Sequence, residues 1–64
     1  MPIIRVEMFK GRSQEQKRAL VRELTDGFVR TAGGRAEAIQ VVITEVDKED
    51  WGSGGELAID KFPD

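Results

Sequence analysis

Apolar and polar residues alternate from the start of the chain. Between Pro2 and Phe9, one face of an extended segment carries Ile4, Val6 and Met8. The other carries Ile3, Arg5, Glu7 and Phe9, the two-residue period of a strand. Pro2 suits only the first position of that strand, because it has no N–H for a ladder. Lys10-Gly11-Arg12 breaks the alternation, and the period then changes to that of a helix. Ser13 with Gln16 three residues on matches a capping box, and Glu15 complements the helix dipole. Leu20, Val21, Leu24, Phe28 and Ala32 recur on one stripe, with most charged residues off it. Gly33-Gly34 ends the pattern. Gly27 inside it costs about 1 kcal/mol against alanine; its presence predicts that the helix approaches a sheet closely there.

Arg35 to Ala38 reads as a connector and Ile39 to Val46 as a second strand. The run Val41-Val42-Ile43-Thr44 suggests burial on both faces, as in a parallel strand. Strand, helix and strand make one βαβ unit, whose crossover is expected to be right-handed. Asp47 to Asp50 is polar and predicts a turn with a 3₁₀ piece. Trp51-Gly52-Ser53-Gly54-Gly55-Glu56-Leu57 predicts a tight hairpin or bulge. The tail from Ala58 to Asp64 is either loose or docked on a neighbour. The fold class expected is α+β, a single β-α-β unit with parallel strands plus a short C-terminal β-hairpin, one domain over 1–64. Two strands and one helix leave a sheet face bare, so the chain is expected to assemble as an oligomer.

Composition narrows the chemistry. With 64 residues and no cysteine, the chain has neither disulfides nor thiolates to compensate for a small core. With no histidine as well, Ser/His/Asp triads and the usual transition-metal ligands are excluded. A net charge of −2 argues against a nucleic-acid module. No apolar run approaches a bilayer span and no signal peptide is evident, which makes the cytoplasm the expected location, with no membrane partner. The acidic residues of Asp47-Lys48-Glu49-Asp50 can be read as metal ligands, but a solvated turn accounts for them more simply, and no metal is expected. The glycines after Trp51 are not a nucleotide fingerprint, since no helical pattern follows them.

Pro2 is the remaining candidate for chemistry. If Met1 is removed, the chain begins with a secondary amine. A free α-amine titrates at about 7.7–8.0 and is driven lower by burial or a nearby guanidinium. Such a group is a general base suited to neutral pH. By itself Pro2 reads first as a strand starter, while Arg12 is equally an ordinary loop arginine and Trp51 a core or interface anchor.

Taken together and in order, several short elements resemble the 4-oxalocrotonate tautomerase family. They are the Pro-Ile start, Gly11-Arg12-Ser13, Glu15-Gln16-Lys17, Val42-Ile43-Thr44-Glu45 and Gly54-Gly55-Glu56-Leu57-Ala58. The similarity runs without gaps from Met1 to about Ala58. It implies a homohexamer, a trimer of dimers with active sites at subunit boundaries, although a hetero-oligomer is open. It also implies a cofactor-free isomerase. Pro2 holds the place of the base that moves a proton within an enol or dienol of a 2-keto acid, of the 2-hydroxymuconate or phenylpyruvate type. Arg12 holds the place of the arginine that binds the substrate and polarises its carbonyl. Trp51 stands where phenylalanine is commoner, as an apolar wall. Gln40, Trp51, Phe9 and Ser53 form the substrate-binding set this implies.

One position departs from that pattern. Family members acting on the dicarboxylate dienol carry a second arginine where this chain has Gln40. A neutral hydrogen bond contributes roughly 0.5–1.5 kcal/mol against 1.5–3 for a charge-assisted one. The expected substrate is therefore a monoacid, or a different acceptor, rather than the dicarboxylate, unless Arg30 or Arg35 of an adjacent subunit supplies the charge. Hydration or dehalogenation on the same scaffold ranks lower, because no carboxylate is an evident activator of water. A non-catalytic oligomeric subunit is the third reading.

Overall fold

The chain is described by a computed structural model over residues 1–63. Strand β1, Ile3–Phe9, leads through a turn at Gly11 into helix α1, Gln14–Ala32. A 3₁₀ turn at Ala36–Ala38 precedes strand β2, Gln40–Val46. β1 and β2 pair in parallel along their whole length, from Ile3 opposite Gln40 to Phe9 opposite Val46. A second 3₁₀ turn, Lys48–Asp50, leads to the short strands β3, Gly52–Ser53, and β4, Glu56–Leu57, which pair antiparallel. Helix α2, Ala58–Lys61, follows directly. This is the α+β arrangement expected, with its C-terminal hairpin. Within the tail, Ala58–Lys61 is helical and Ala58 is fully buried, while Asp64 lies outside the described residues.

Local chemistry explains each boundary. The Gln16 N–H donates to Ser13 Oγ at 3.1 Å, and the Ser13 N–H donates to Gln16 Oε1 at 2.8 Å, closing both arms of the capping box. At the other end Gly33 takes φ 85°, where a side chain would be strained, and its N–H donates to the Val29 carbonyl at 3.0 Å. The β3–β4 turn needs two residues with positive φ, which Gly54 and Gly55 supply at 62° and 87°.

Gly27 corrects one expectation. A Cβ built there would meet only Arg30 Nη2, at 3.8 Å, so the chain's own sheet does not crowd it. An ion pair links the helix to the second strand. Lys17 Nζ lies 2.6 Å from Glu45 Oε1, with both side chains about three-quarters buried.

The helix covers only one sheet face. Along β2, Val41, Ile43 and Glu45 are sheltered, whereas Gln40, Val42 and Thr44 are exposed, Val42 at 42%. The two-sided burial expected for this strand is thus absent within one chain. Only Ile39 and Ala58 are buried among the described residues. The radius of gyration is 14.7 Å, against ~10.7 Å for a compact domain of this length. The accessible surface is 4885 Å², against ~4,100 Å² for a compact monomer of this mass. Both differences mark a subunit whose interior is completed by other chains.

Candidate functional site

Pro2 stands at the head of β1. It contributes no N–H to the sheet, yet its carbonyl accepts from the Gln40 N–H at 3.0 Å, which fixes it beside the start of β2. Pro2 is half-buried and Gln40 exposed, and Gln40 lies directly across from Ile3 in the parallel register. The buried Ile39 precedes Gln40 and supports this end of the sheet.

The other expected residues gather at the opposite end. Lys10 continues the ladder by donating to the Val46 carbonyl at 3.2 Å, after which Gly11 at φ 130° turns the chain. Arg12 follows, exposed and without an ion pair or hydrogen bond among the described residues. Phe9 meets Trp51 with ring centroids 4.6 Å apart and planes tilted by 59°. Trp51 is fixed through its backbone: its N–H donates to Lys48 at 3.4 Å, and its carbonyl accepts from Ala58 at 2.6 Å. Ser53 is half-buried in β3, and its carbonyl accepts from Lys61 Nζ at 3.5 Å.

The sheet separates these two groups. Six residue steps of β1 span about 20 Å at ~3.3 Å per residue, too far for side chains at the two ends to share one small substrate. A site that combines Pro2 with Arg12 therefore draws them from different chains. Phe9, Trp51, Ser53 and Arg12 are brought to one end of this chain, and Pro2 and Gln40 to the other.

A family model described as tautomerase enzyme matches residues 2–61. The chain belongs to the tautomerase enzymes. Members of that family are isomerases. The chain is 41% identical over 58 residues to a 2-hydroxymuconate tautomerase of Pseudomonas putida, covering 91% of this chain and 92% of that one. It is 46% identical over 55 residues to a probable tautomerase of Staphylococcus haemolyticus, covering 86% and 89%. Among solved structures it is similar to TomN, a 4-oxalocrotonate tautomerase homologue in the tomaymycin biosynthetic pathway. There the TM-score is 0.93 at 33% identity, over 98% of this chain and 97% of that one. A heterohexamer 4-oxalocrotonate tautomerase from Chloroflexus aurantiacus gives a TM-score of 0.85 at 31% identity, over 91% and 94%.

Two further features of the chain bear on the site. Asp47, Glu49 and Asp50 bring carboxylate oxygens within 4.8 Å of one another, and Lys10 Nζ neutralises Asp47 at 3.2 Å. A depression of about 320 Å³ lined by Asp47, Lys48, Glu49 and Ile59 lies beside them. Asp47 follows Val46, which pairs with Phe9, so the depression lies at the Phe9–Trp51 end of the sheet, and Lys48 lines it together with the two carboxylates. The second feature is Phe62, whose ring lies 6.4 Å from that of Phe9, again tilted by 59°. Sequence reasoning did not place Phe62 with the site. The available signal was an aromatic residue within a few positions of the hairpin glycines, but nothing local showed that α2 would fold back. No helix among the described residues is long and apolar enough to cross a membrane.

Proposed function

We propose that the protein is a cofactor-independent tautomerase acting on the enol or dienol of a 2-keto acid, with Pro2 as general base once Met1 is removed. The Pro2 amine takes a proton from one position of the conjugated substrate and returns it at another. Arg12 of a neighbouring chain pairs with the substrate carboxylate through its planar fork and stabilises negative charge developing on the carbonyl oxygen. Trp51 and Phe9, from the same chain as that Arg12, supply an apolar wall that disfavours the prolinium form. Gln40 offers a neutral hydrogen bond, which favours a monoacid over a dicarboxylate.

The observation that carries this reading is the placement of Pro2. Its carbonyl is tied to Gln40, its nitrogen has no part in the ladder, and Met1 beyond it is 86% exposed and open to removal. The bare sheet face supports a homohexamer as the working assembly. The test combines an intact mass with ketonisation assays on phenylenolpyruvate and 2-hydroxymuconate. Loss of Met1 and turnover that disappears in Pro2→Ala are expected. A retained Met1, or Pro2→Ala turning over as the parent does, rejects the proposal.

A further inference from the structure

The turn that carries Arg12 is closed from both sides by neighbouring residues of one strand. On the β1 side, the Lys10 N–H donates to the Val46 carbonyl at 3.2 Å and extends the ladder one residue past Phe9. On the helix side, Lys17 Nζ reaches Glu45 Oε1 at 2.6 Å, across 28 positions of sequence. Glu45 and Val46 are consecutive in β2, so the segment from Gly11 to Gln16 is spanned between two adjacent anchors. Inside it, the capping box ties Ser13 to Gln16, and the Lys17 N–H donates to the Ser13 carbonyl at 3.1 Å. Lys17 is thus joined to Ser13 by its backbone and to β2 by its side chain.

Arg12 is the residue this arrangement leaves free. It is exposed, with neither an ion pair nor a hydrogen bond among the described residues. No side-chain contact fixes its guanidinium, so the backbone on either side of Arg12 decides the region it reaches. The pair that closes the helix side is unlike the chain's more open ones. Lys10–Asp47, Glu15–Arg18 and Arg35–Glu37 have side chains 46–84% exposed, where solvent screens them. Lys17 and Glu45 are 22% and 24% exposed, and a sheltered, charge-assisted hydrogen bond is short and directional. Direction matters to a planar guanidinium, because a group misplaced by about 1 Å can lose about 10²-fold in rate.

We infer that Lys17 and Glu45 are positioning residues: their ion pair holds the start of α1 against β2, so that Arg12 presents its guanidinium to the substrate in one orientation. The role given to Arg12 rests on the tautomerase reading, whereas the clamp itself is detectable without turnover.

The experiment compares the parent, Glu45→Gln, Arg12→Ala and Arg12→Ala/Glu45→Gln in ketonisation of phenylenolpyruvate, with hydrogen exchange followed at single amides. Glu45→Gln is expected to lower kcat/KM about tenfold or more. It should change kcat/KM by less than about twofold when Arg12 is already alanine. Exchange at the Ser13 and Gln16 amides should speed up in Glu45→Gln, while the amides of the β1–β2 ladder exchange as in the parent. Lys17→Met/Glu45→Leu replaces the pair by a non-directional contact. It is expected to recover the urea midpoint but not kcat/KM, which separates position from stability. Should Glu45→Gln fail to fold, that double variant carries the same comparison with Arg12→Ala. An effect of equal size with and without Arg12 overturns the inference. So do unaltered exchange at Ser13 and Gln16, and a Lys17→Met/Glu45→Leu variant with parental kcat/KM. A parent that turns over no enol rejects the tautomerase reading alone, and the exchange comparison then decides the clamp.

Discussion

If Pro2 and Arg12 cooperate at one site, each inactive chain can repair the other. Pro2→Ala removes the base, and a general base contributes about 10²–10⁴ in rate. Arg12→Ala removes a donor to the developing oxyanion, which costs about 10²–10³ in kcat. Each variant alone should therefore retain at most about one per cent of parental activity. When the two are unfolded together in equal amounts and refolded, every site draws its base from one chain and its arginine from another. The base is intact in half of the draws and the arginine in half, so about a quarter of the sites recover both. Refolded mixtures should thus regain about a quarter of the parental ketonisation rate, at least about 25-fold above either parent. The assay is ketonisation of phenylenolpyruvate at fixed total protein, with each variant refolded separately as its control. A mixture no more active than the sum of its parents refutes the reasoning. It would mean that both residues act from one chain, despite the ~20 Å that β1 places between its ends, or that they do not act together.

Other consequences concern the scaffold. The Lys17–Glu45 pair at 2.6 Å is sheltered on both sides, so a double-mutant cycle with Lys17→Met and Glu45→Leu should show a coupling of about 1–2 kcal/mol. The double variant should be closer to the parent than either single one. Ser13→Ala opens the capping box and is expected to cost about 1 kcal/mol of stability, read from urea midpoints at one protein concentration. Val42→Asp puts a charge on the open sheet face and should shift the gel-filtration mass toward the single chain, whereas Thr44→Ser on the same face should not.

The fold was legible because its signals are local. The alternation in β1, the Ser13/Gln16 box and the paired glycines at 33–34 and 54–55 each act over three or four residues, and each is found where the pattern places it. Gly27 was misread because a glycine in a helix is compatible with close approach but does not require it, and the space around it is set by packing at a distance. For the site, Phe9 and Trp51 meet through residues far apart in the chain, a contact the family resemblance anticipated only in part. Phe62 went unplaced because its position depends on α2 folding back onto the hairpin end, a long-range event with no local period. The separation of Pro2 from Arg12 follows from strand length alone, yet it acquires meaning only once both residues are asked to meet one molecule.

The sparse interior has a consequence for how the protein comes into being. A newly made chain with two buried side chains among its described residues has little to gain by folding alone. Its folding and its encounter with other subunits are one equilibrium, governed by mass action. Synthesis rate then sets the yield of native protein more than linearly, and a chain that meets no other subunit stays open to proteases. Specific activity should likewise fall on dilution, as native subunits lose the neighbours that complete them.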